Sequence, residues 1–302
     1  MFHVKQLTMK QHHKCHNCHS TNSKLHRICS DFLSQQETFE VWKCLECQLE
    51  WTKTNLKGKK LAAYYKNPCY ISHTDCKTNI LERCYHTARK IAMIRKGKII
   101  GKGKGRLLEI GSGTANLLSY CQQKGWNVIG VEPSKTARSL AQKKNKIKLL
   151  KRFKFREFEH DSLEIIMMWH VFEHVRRPKK LMKKISQLMN KKSKLIIAVP
   201  NSNANEIAIY KRYWAAYDVP RHLFHYNKKS IEHMAEEYNL EIKKIIPLWF
   251  DALYISIISE QLKGNKFAFF RGLIVGCWSN VKAFLQNKEY SSLVFVLTKK
   301  TI

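Results

Sequence analysis

The stretch Leu107-Leu108-Glu109-Ile110-Gly111-Ser112-Gly113-Thr114-Ala115-Asn116-Leu117-Leu118 reads as a buried strand, a glycine turn and a helix start in immediate succession. Gly111 and Gly113 bring no Cβ and tolerate positive φ, so backbone there can approach a ligand that a bulkier turn would exclude. A second apolar run, Val128-Ile129-Gly130-Val131, follows and ends in Glu132. That is about the distance at which dinucleotide-type folds place an acid on ribose hydroxyls.

Working outward, apolar runs alternate with helical patterns. Strands are expected at Arg106–Ile110, Asn127–Val131, Ile147–Leu150, Leu163–Trp169 and Lys194–Val199, with Pro178 opening the helix before the last of these. Further strands are expected at Glu241–Ile246 and Ser292–Leu297. The pattern predicts an α/β fold with a doubly wound, mostly parallel seven-stranded sheet covered on both faces. In such sheets a ligand sits beyond the carboxyl ends of the strands. The glycine turn, Glu132, Trp169-His170-Val171-Phe172-Glu173-His174 and Pro200-Asn201 all fall at those ends.

Toward the N-terminus, Cys15-His16-Asn17-Cys18 and Cys44-Leu45-Glu46-Cys47 form two C-x2-C knuckles around a strand-like stretch, Thr38–Trp42. Four thiolates from Cys15, Cys18, Cys44 and Cys47 close a tetrahedral shell, which predicts a small structural zinc ribbon over residues 1–60. Residues 61–105 read as a helical bridge or lid, with Tyr64, Tyr65 and Tyr70 as aromatic candidates over a cofactor and helical spacing from Asn79 to Lys98. Asn67-Pro68-Cys69-Tyr70 invites comparison with the Asn/Asp-Pro-Pro-aromatic signature of base-amine methylating enzymes, but it has Cys at the third position and precedes the glycine turn. Residues 106–302 form the main domain. Within it, residues 201–226 read as an aromatic and polar substrate cap, and residues 248–290 as a helical insertion.

The 302 residues carry 55 Lys+Arg against 23 Asp+Glu, a formal net charge of +32. The excess is spread along the chain, which favours a solvated surface over a nucleic-acid stripe, although anionic partners would be attracted. Ten cysteines without an apolar leader at Met1–Lys5 point to a reducing, cytoplasmic setting. Phe267–Trp278 is apolar but is interrupted by Arg271 and falls short of the ~20 residues that span a bilayer.

Taken together, the knuckles, the Tyr70-Ile71-Ser72-His73 bridge, the glycine turn, the Trp169–His174 block and Asp218-Val219-Pro220-Arg221-His222-Leu223-Phe224-His225 resemble a class I S-adenosylmethionine-dependent methyltransferase of the bacterial group that carries an N-terminal zinc ribbon. The resemblance implies S-adenosylmethionine as cofactor, with its methionine part at Glu109, Gly111, Ser112 and Gly113, its ribose at Glu132, and Trp169 and His170 beside it. Ala115 departs from the group's usual third glycine. A nicotinamide dehydrogenase would share the half-motif but would need a second nucleotide-binding half.

His170, His222 and His225 are the candidate proton acceptors, because an imidazole titrates near neutrality. Glu173 and His174 are weaker candidates for a direct role. Asn201, Trp214 and Arg221 are the candidate substrate residues, Arg221 for an acidic group. The leading expectation is methyl transfer to a small-molecule acceptor such as a sugar, a quinone-like compound or another metabolite. An RNA methyltransferase using the basic surface and the ribbon, and a non-catalytic binding protein retaining the fold, are the alternatives. The mixture of Phe, Trp, Lys and Arg in the helical insertion allows peripheral membrane contact.

Overall fold

The computed structural model describes residues 13–34, 37–65 and 91–300. Tyr70, the Asn67–Tyr70 motif and most of the predicted helix from Asn79 lie outside the described residues; residues 91–100 are helical and are called α2.

The chain begins with β1 (Ser23–Ser30), β2 (Thr38–Cys44), β3 (Glu50–Thr52) and α1 (Gly58–Ala63), which precede α2. It continues with β4 (Arg106–Ile110), α3 (Asn116–Gln123), β5 (Asn127–Val131), α4 (Lys135–Asn145), β6 (Leu163–Trp169), α5 (Pro178–Leu188) and β7 (Met189–Pro200). The remainder comprises α6 (Ile207–Tyr210), β8 (Phe224–His225), α7 (Lys228–Glu237), β9 (Leu240–Pro247), α8 (Trp249–Leu262), α9 (Ala268–Lys282) and β10 (Ser292–Lys299).

Six strands form the main sheet in the order β5-β4-β6-β7-β10-β9. β5, β4, β6 and β7 are parallel, while β10 runs antiparallel to both β7 and β9. β6 sits inside the sheet and is buried along almost its whole length, which is why Leu163–Trp169 reads as a continuous apolar run rather than an alternating one. α5 buries Met182, Ile185 and Leu188 at helical spacing and exposes Lys180 and Lys183. An Asn227–Ser230 capping box starts α7.

The expected seventh strand is a correction. Ile147–Leu150 contributes a single parallel bridge, Val131 to Leu150, held by Leu150 N–H to Gly130 O and Glu132 N–H to Leu150 O, both 2.8 Å. Lys146 leaves α4 in the left-handed conformation. The lysine-rich segment that follows meets the sheet edge at one residue only.

A second sheet, β1-β2-β3-β8, holds the cysteine knuckles. Its fourth strand comes from residues 201–226, the segment expected to cap the substrate. β8 pairs with β3 through Glu50–His225 and Trp51–Phe224. Two further ties cross the same boundary: Asn17 Nδ2 donates to Ser230 O (3.0 Å) and Thr52 Oγ1 to His222 O (2.7 Å). The N-terminal segment is thereby built into the larger unit. Tyr210, Trp214 and Tyr217 are buried with Cys29, Phe39, Val41 and Tyr64 on one side and Ile255 and Val275 on the other. They form a core between the small sheet and the α8–α9 pair.

α8 and α9 pack closely because Gly272 and Gly276 present no side chain. A Cβ at these positions would lie 2.5 Å from the Ile257 Cα and 2.7 Å from the Leu253 Cα. Among the described residues, no helix is long and apolar enough to cross a membrane.

Candidate active site

The glycine turn lies where β4 ends. Gly111 (φ +78°) and Gly113 (φ +51°) both adopt left-handed backbone, and a Cβ on Gly111 would meet Val171 Cγ2 at 2.3 Å. Around Gly113 the corresponding space is open. Gly111 N–H and Ser112 N–H donate to Val131 O (2.8 and 3.0 Å), and Ser112 Oγ donates to Glu109 O (2.9 Å), so the turn is braced from within. Ala115, the departure from the usual third glycine, also sits at positive φ (62°) and is fully buried. The site therefore retains a glycine-like backbone and tolerates the methyl group.

Glu132 faces the turn from the end of β5. One carboxylate oxygen accepts from Gly113 N–H (2.9 Å) and the other from Ser134 N–H (2.8 Å). Glu109 is buried one strand away, with Oε2 lacking a hydrogen-bond partner among the described residues. Burial pushes its carboxyl up to about 8; nearby Lys96 opposes the rise and Glu132 adds to it. Lys96 also lies over the Trp169 ring at 4.6 Å. A buried acid with an unfilled acceptor beside an open glycine turn suits the ammonium of an amino-acid-bearing ligand, and Glu132 retains lone pairs for hydroxyl groups.

His170 follows β6 with φ +53°, a costly conformation for a non-glycine residue. Its Nε2 is 3.2 Å from Asp251 of α8 and its Nδ1 is 3.6 Å from Glu173. Burial alone would lower its pKa, but the two carboxylates outweigh that and raise it to about 9. At neutral pH His170 is a clamped cation, so the expected proton-accepting role does not fit this geometry.

The other expected residues separate clearly. His225, in β8, is buried, is driven by desolvation down to about 3, and shares a 3.0 Å hydrogen bond with Thr52 Oγ1; it faces the small sheet. Arg221 is 1% exposed, and its guanidinium donates to Asp218 (2.6 and 2.8 Å), Asp31 (3.0 Å) and Tyr64 O (3.1 Å). It is an internal tie, not a receptor for an acidic substrate. Trp214 is buried and donates to Glu206 (3.2 Å). Asn201 is buried and donates to Glu289 (2.7 Å) and Tyr290 O (3.0 Å). In both, the side-chain N–H groups are engaged inside the fold. His222 does remain at the rim, beside Glu173 and His174. Reasoning from the sequence missed Asp251, which reaches the strand ends from a helix some 80 residues downstream; no local motif marks it.

The four cysteine sulfurs lie within 4.8 Å of one another, with Cys15–Cys47 at 3.5 Å and Cys18–Cys44 at 3.4 Å. His19 and Gln48, each directly after the second cysteine of its knuckle, share φ +62°. The two knuckles thus fold alike. Cys47 is drawn down to about 5, chiefly by the hydrogen bond from Cys15.

A family model described as a methyltransferase domain matches residues 85–245, more than half of the chain. The chain belongs to this methyltransferase family. The match spans the glycine turn, Glu132, the Trp169–His174 block and β8. Over 108 residues the methyltransferase chain is 34% identical to an uncharacterized methyltransferase of Bacillus mycoides, covering 33% of this chain and 49% of the relative. It thus spans about half the length of the curated relatives it matches. Among solved structures it is similar to that of a complex between the Haloferax volcanii Trm112 methyltransferase activator and a methyltransferase, with TM-score 0.51 and 15% identity over 74% of this chain and 93% of that one. It is also similar to a SAM-dependent methyltransferase from Archaeoglobus fulgidus, with TM-score 0.47 and 18% identity over 70% and 94% of the two chains. At these identities the former likeness shows the fold.

Proposed function

We propose that the chain binds S-adenosylmethionine at the β4 glycine turn and transfers its methyl group to a small-molecule acceptor. The observation that carries this reading is the pairing, at one rim, of an open left-handed glycine turn with two carboxylates from adjacent strands, Glu109 and Glu132. When bound, the cofactor supplies an electrophilic methyl group on a sulfonium. Glu109 Oε2 would accept from its ammonium, and Glu132 would exchange its Gly113 hydrogen bond for one from a ribose hydroxyl. The chain's main catalytic contribution is alignment, since in-line displacement gains chiefly from positioning. The Asp251–His170–Glu173 chain fixes the acceptor side of the rim by joining α8 to β6. Isothermal titration with S-adenosylhomocysteine tests the reading. Saturable one-to-one binding that weakens in Glu132→Ala is expected, and no binding to the folded wild type would refute it.

The cysteine cluster supports a structural zinc site. At about 2.3 Å from a central ion, tetrahedral thiolates stand roughly 3.8 Å apart, close to the observed sulfur spacing. A closed shell of four thiolates leaves no position for substrate.

The exposed face of α9, with the residues directly before and after it, supports contact with an anionic lipid surface. Phe267, Phe270, Ile274, Trp278, Val281 and Leu285 recur at helical spacing and all face solvent, Phe267 at 73%. Lys263, Lys266, Lys282 and Lys288 flank them in sequence and Arg271, paired with Glu260, lies among them, giving the charge complementarity that an anionic bilayer needs. Co-sedimentation with phosphatidylglycerol vesicles, lost in a Phe270→Glu/Ile274→Glu variant, is the expected result. Equal sedimentation of the variant would refute it.

A further inference from the structure

We propose that Glu173, His174 and His222 form a binding site for a divalent transition-metal ion at the rim beyond β6, separate from the cysteine cluster. One donor atom from each of the three residues lies within 4.8 Å of the others. Glu173 is 1% exposed, yet neither of its carboxylate oxygens has a hydrogen-bond partner among the described residues. His170 Nδ1, 3.6 Å from Oε1, is a cationic neighbour beyond hydrogen-bond range, so both carboxylate oxygens keep lone pairs for a further cation.

A backbone carbonyl holds the Nδ1 edge of each imidazole. His222 Nδ1 is 2.8 Å from Ala216 O, and His174 Nδ1 is 2.9 Å from Arg221 O. A carbonyl oxygen only accepts, so in each ring Nδ1 carries the proton and Nε2 carries the lone pair. This is the second-shell arrangement that fixes the tautomer of a metal-binding histidine. His222 Nε2 lies 4.0 Å from Glu173 Oε1 and 3.8 Å from Asp218 Oδ2, and the His174 and His222 rings stand 4.6 Å apart. Leu223 N–H donates to Glu173 O (2.9 Å), so the backbone of one ligand segment is pinned to that of the other.

Ligands about 2.1 Å from an ion stand roughly 3.0–3.4 Å from each other, so small side-chain rotations close the shell. Two imidazoles and one carboxylate suit manganese, iron, cobalt or zinc, whereas an all-thiolate cluster selects softer ions. Three protein ligands leave positions open for water or, on the methyl-transfer reading, for an oxygen of the acceptor.

The test is a Mn2+ titration of the full zinc-loaded chain, with free Mn2+ read by electron paramagnetic resonance. Wild type is expected to saturate at one Mn2+ per chain. Glu173→Gln and His222→Gln are each expected to weaken binding by at least roughly 10- to 100-fold. His174→Gln provides a third variant should either fail the accompanying thermal-unfolding check, and Cys15→Ser should leave Mn2+ affinity unchanged if it folds. No saturable Mn2+ binding by wild type, or undiminished binding in the folded variants, would overturn the proposal. Neither result depends on S-adenosylhomocysteine binding, so this reading and the methyl-transfer reading fail separately.

Discussion

Replacing Arg221 by methionine probes the tie that joins three parts of the chain. The guanidinium donates to Asp31 in the small sheet unit, to Asp218 in the 201–226 segment and to Tyr64 O after α1. Removing one partner of a buried ion pair typically costs about 3–5 kcal/mol. The lower end applies here, because Asp31 keeps three other donors, Leu33 N–H (3.2 Å), Ser34 N–H (3.1 Å) and Ser34 Oγ (2.5 Å). Asp218 also retains partial access to water. With an unfolding entropy of roughly 2 cal/mol/K per residue, a loss of about 3 kcal/mol lowers Tm by roughly 5 °C if the chain unfolds as one unit. Differential scanning calorimetry at fixed protein concentration measures the shift, and Asp31→Asn combined with Arg221→Met should recover part of it. An unchanged Tm accompanied by loss of affinity for an acidic acceptor would refute the reasoning and return Arg221 to the substrate.

Three further outcomes are expected. Gly111→Ala should cost more than Gly113→Ala in urea unfolding, because the former adds a clash with Val171 to left-handed strain while the latter meets open space and loses only about 1–2 kcal/mol. Glu109, raised from 4.5 to about 8 in the folded chain, holds a proton there that the unfolded chain releases, so stability should fall as pH rises between those values; Glu109→Gln should flatten that slope in a Tm-against-pH series. The purified chain should carry about one zinc at the cysteine cluster, and its removal by a strong chelator should lower Tm, while Cys44→Ser should bind less than half an equivalent by elemental analysis.

The parallel half of the sheet was legible because β4, β5 and β6 carry their periodicity and turn chemistry locally, and the family match agrees with that reading. The six-strand count was not, since whether Ile147–Leu150 pairs along its length depends on how α4 delivers the chain to an edge. The cysteine knuckles declared themselves by spacing. The acceptor side was the least legible: Trp214, Asn201 and Arg221 have the composition of a binding loop, yet their polar atoms are engaged by Glu206, eight residues away, and by Glu289 and Asp31, partners far away in sequence. His170 looked like a base by residue type; only the convergence of Asp251 and Glu173 makes it a cation.

The pairing of β3 with β8 has a consequence for synthesis. The knuckle segment leaves the ribosome before β8 does, so Thr52 must wait 173 residues for His225, and Asn17 waits 213 for Ser230. At about 5–20 residues per second, Thr52's wait is roughly 10–35 s. During that interval the small sheet has an uncovered edge, and the four sulfurs are the local means of holding it in register. The growing chain is therefore most exposed to oxidants and to strand-edge aggregation before β8 appears, and a truncated transcript ending short of Phe224 would leave the nascent protein in that state.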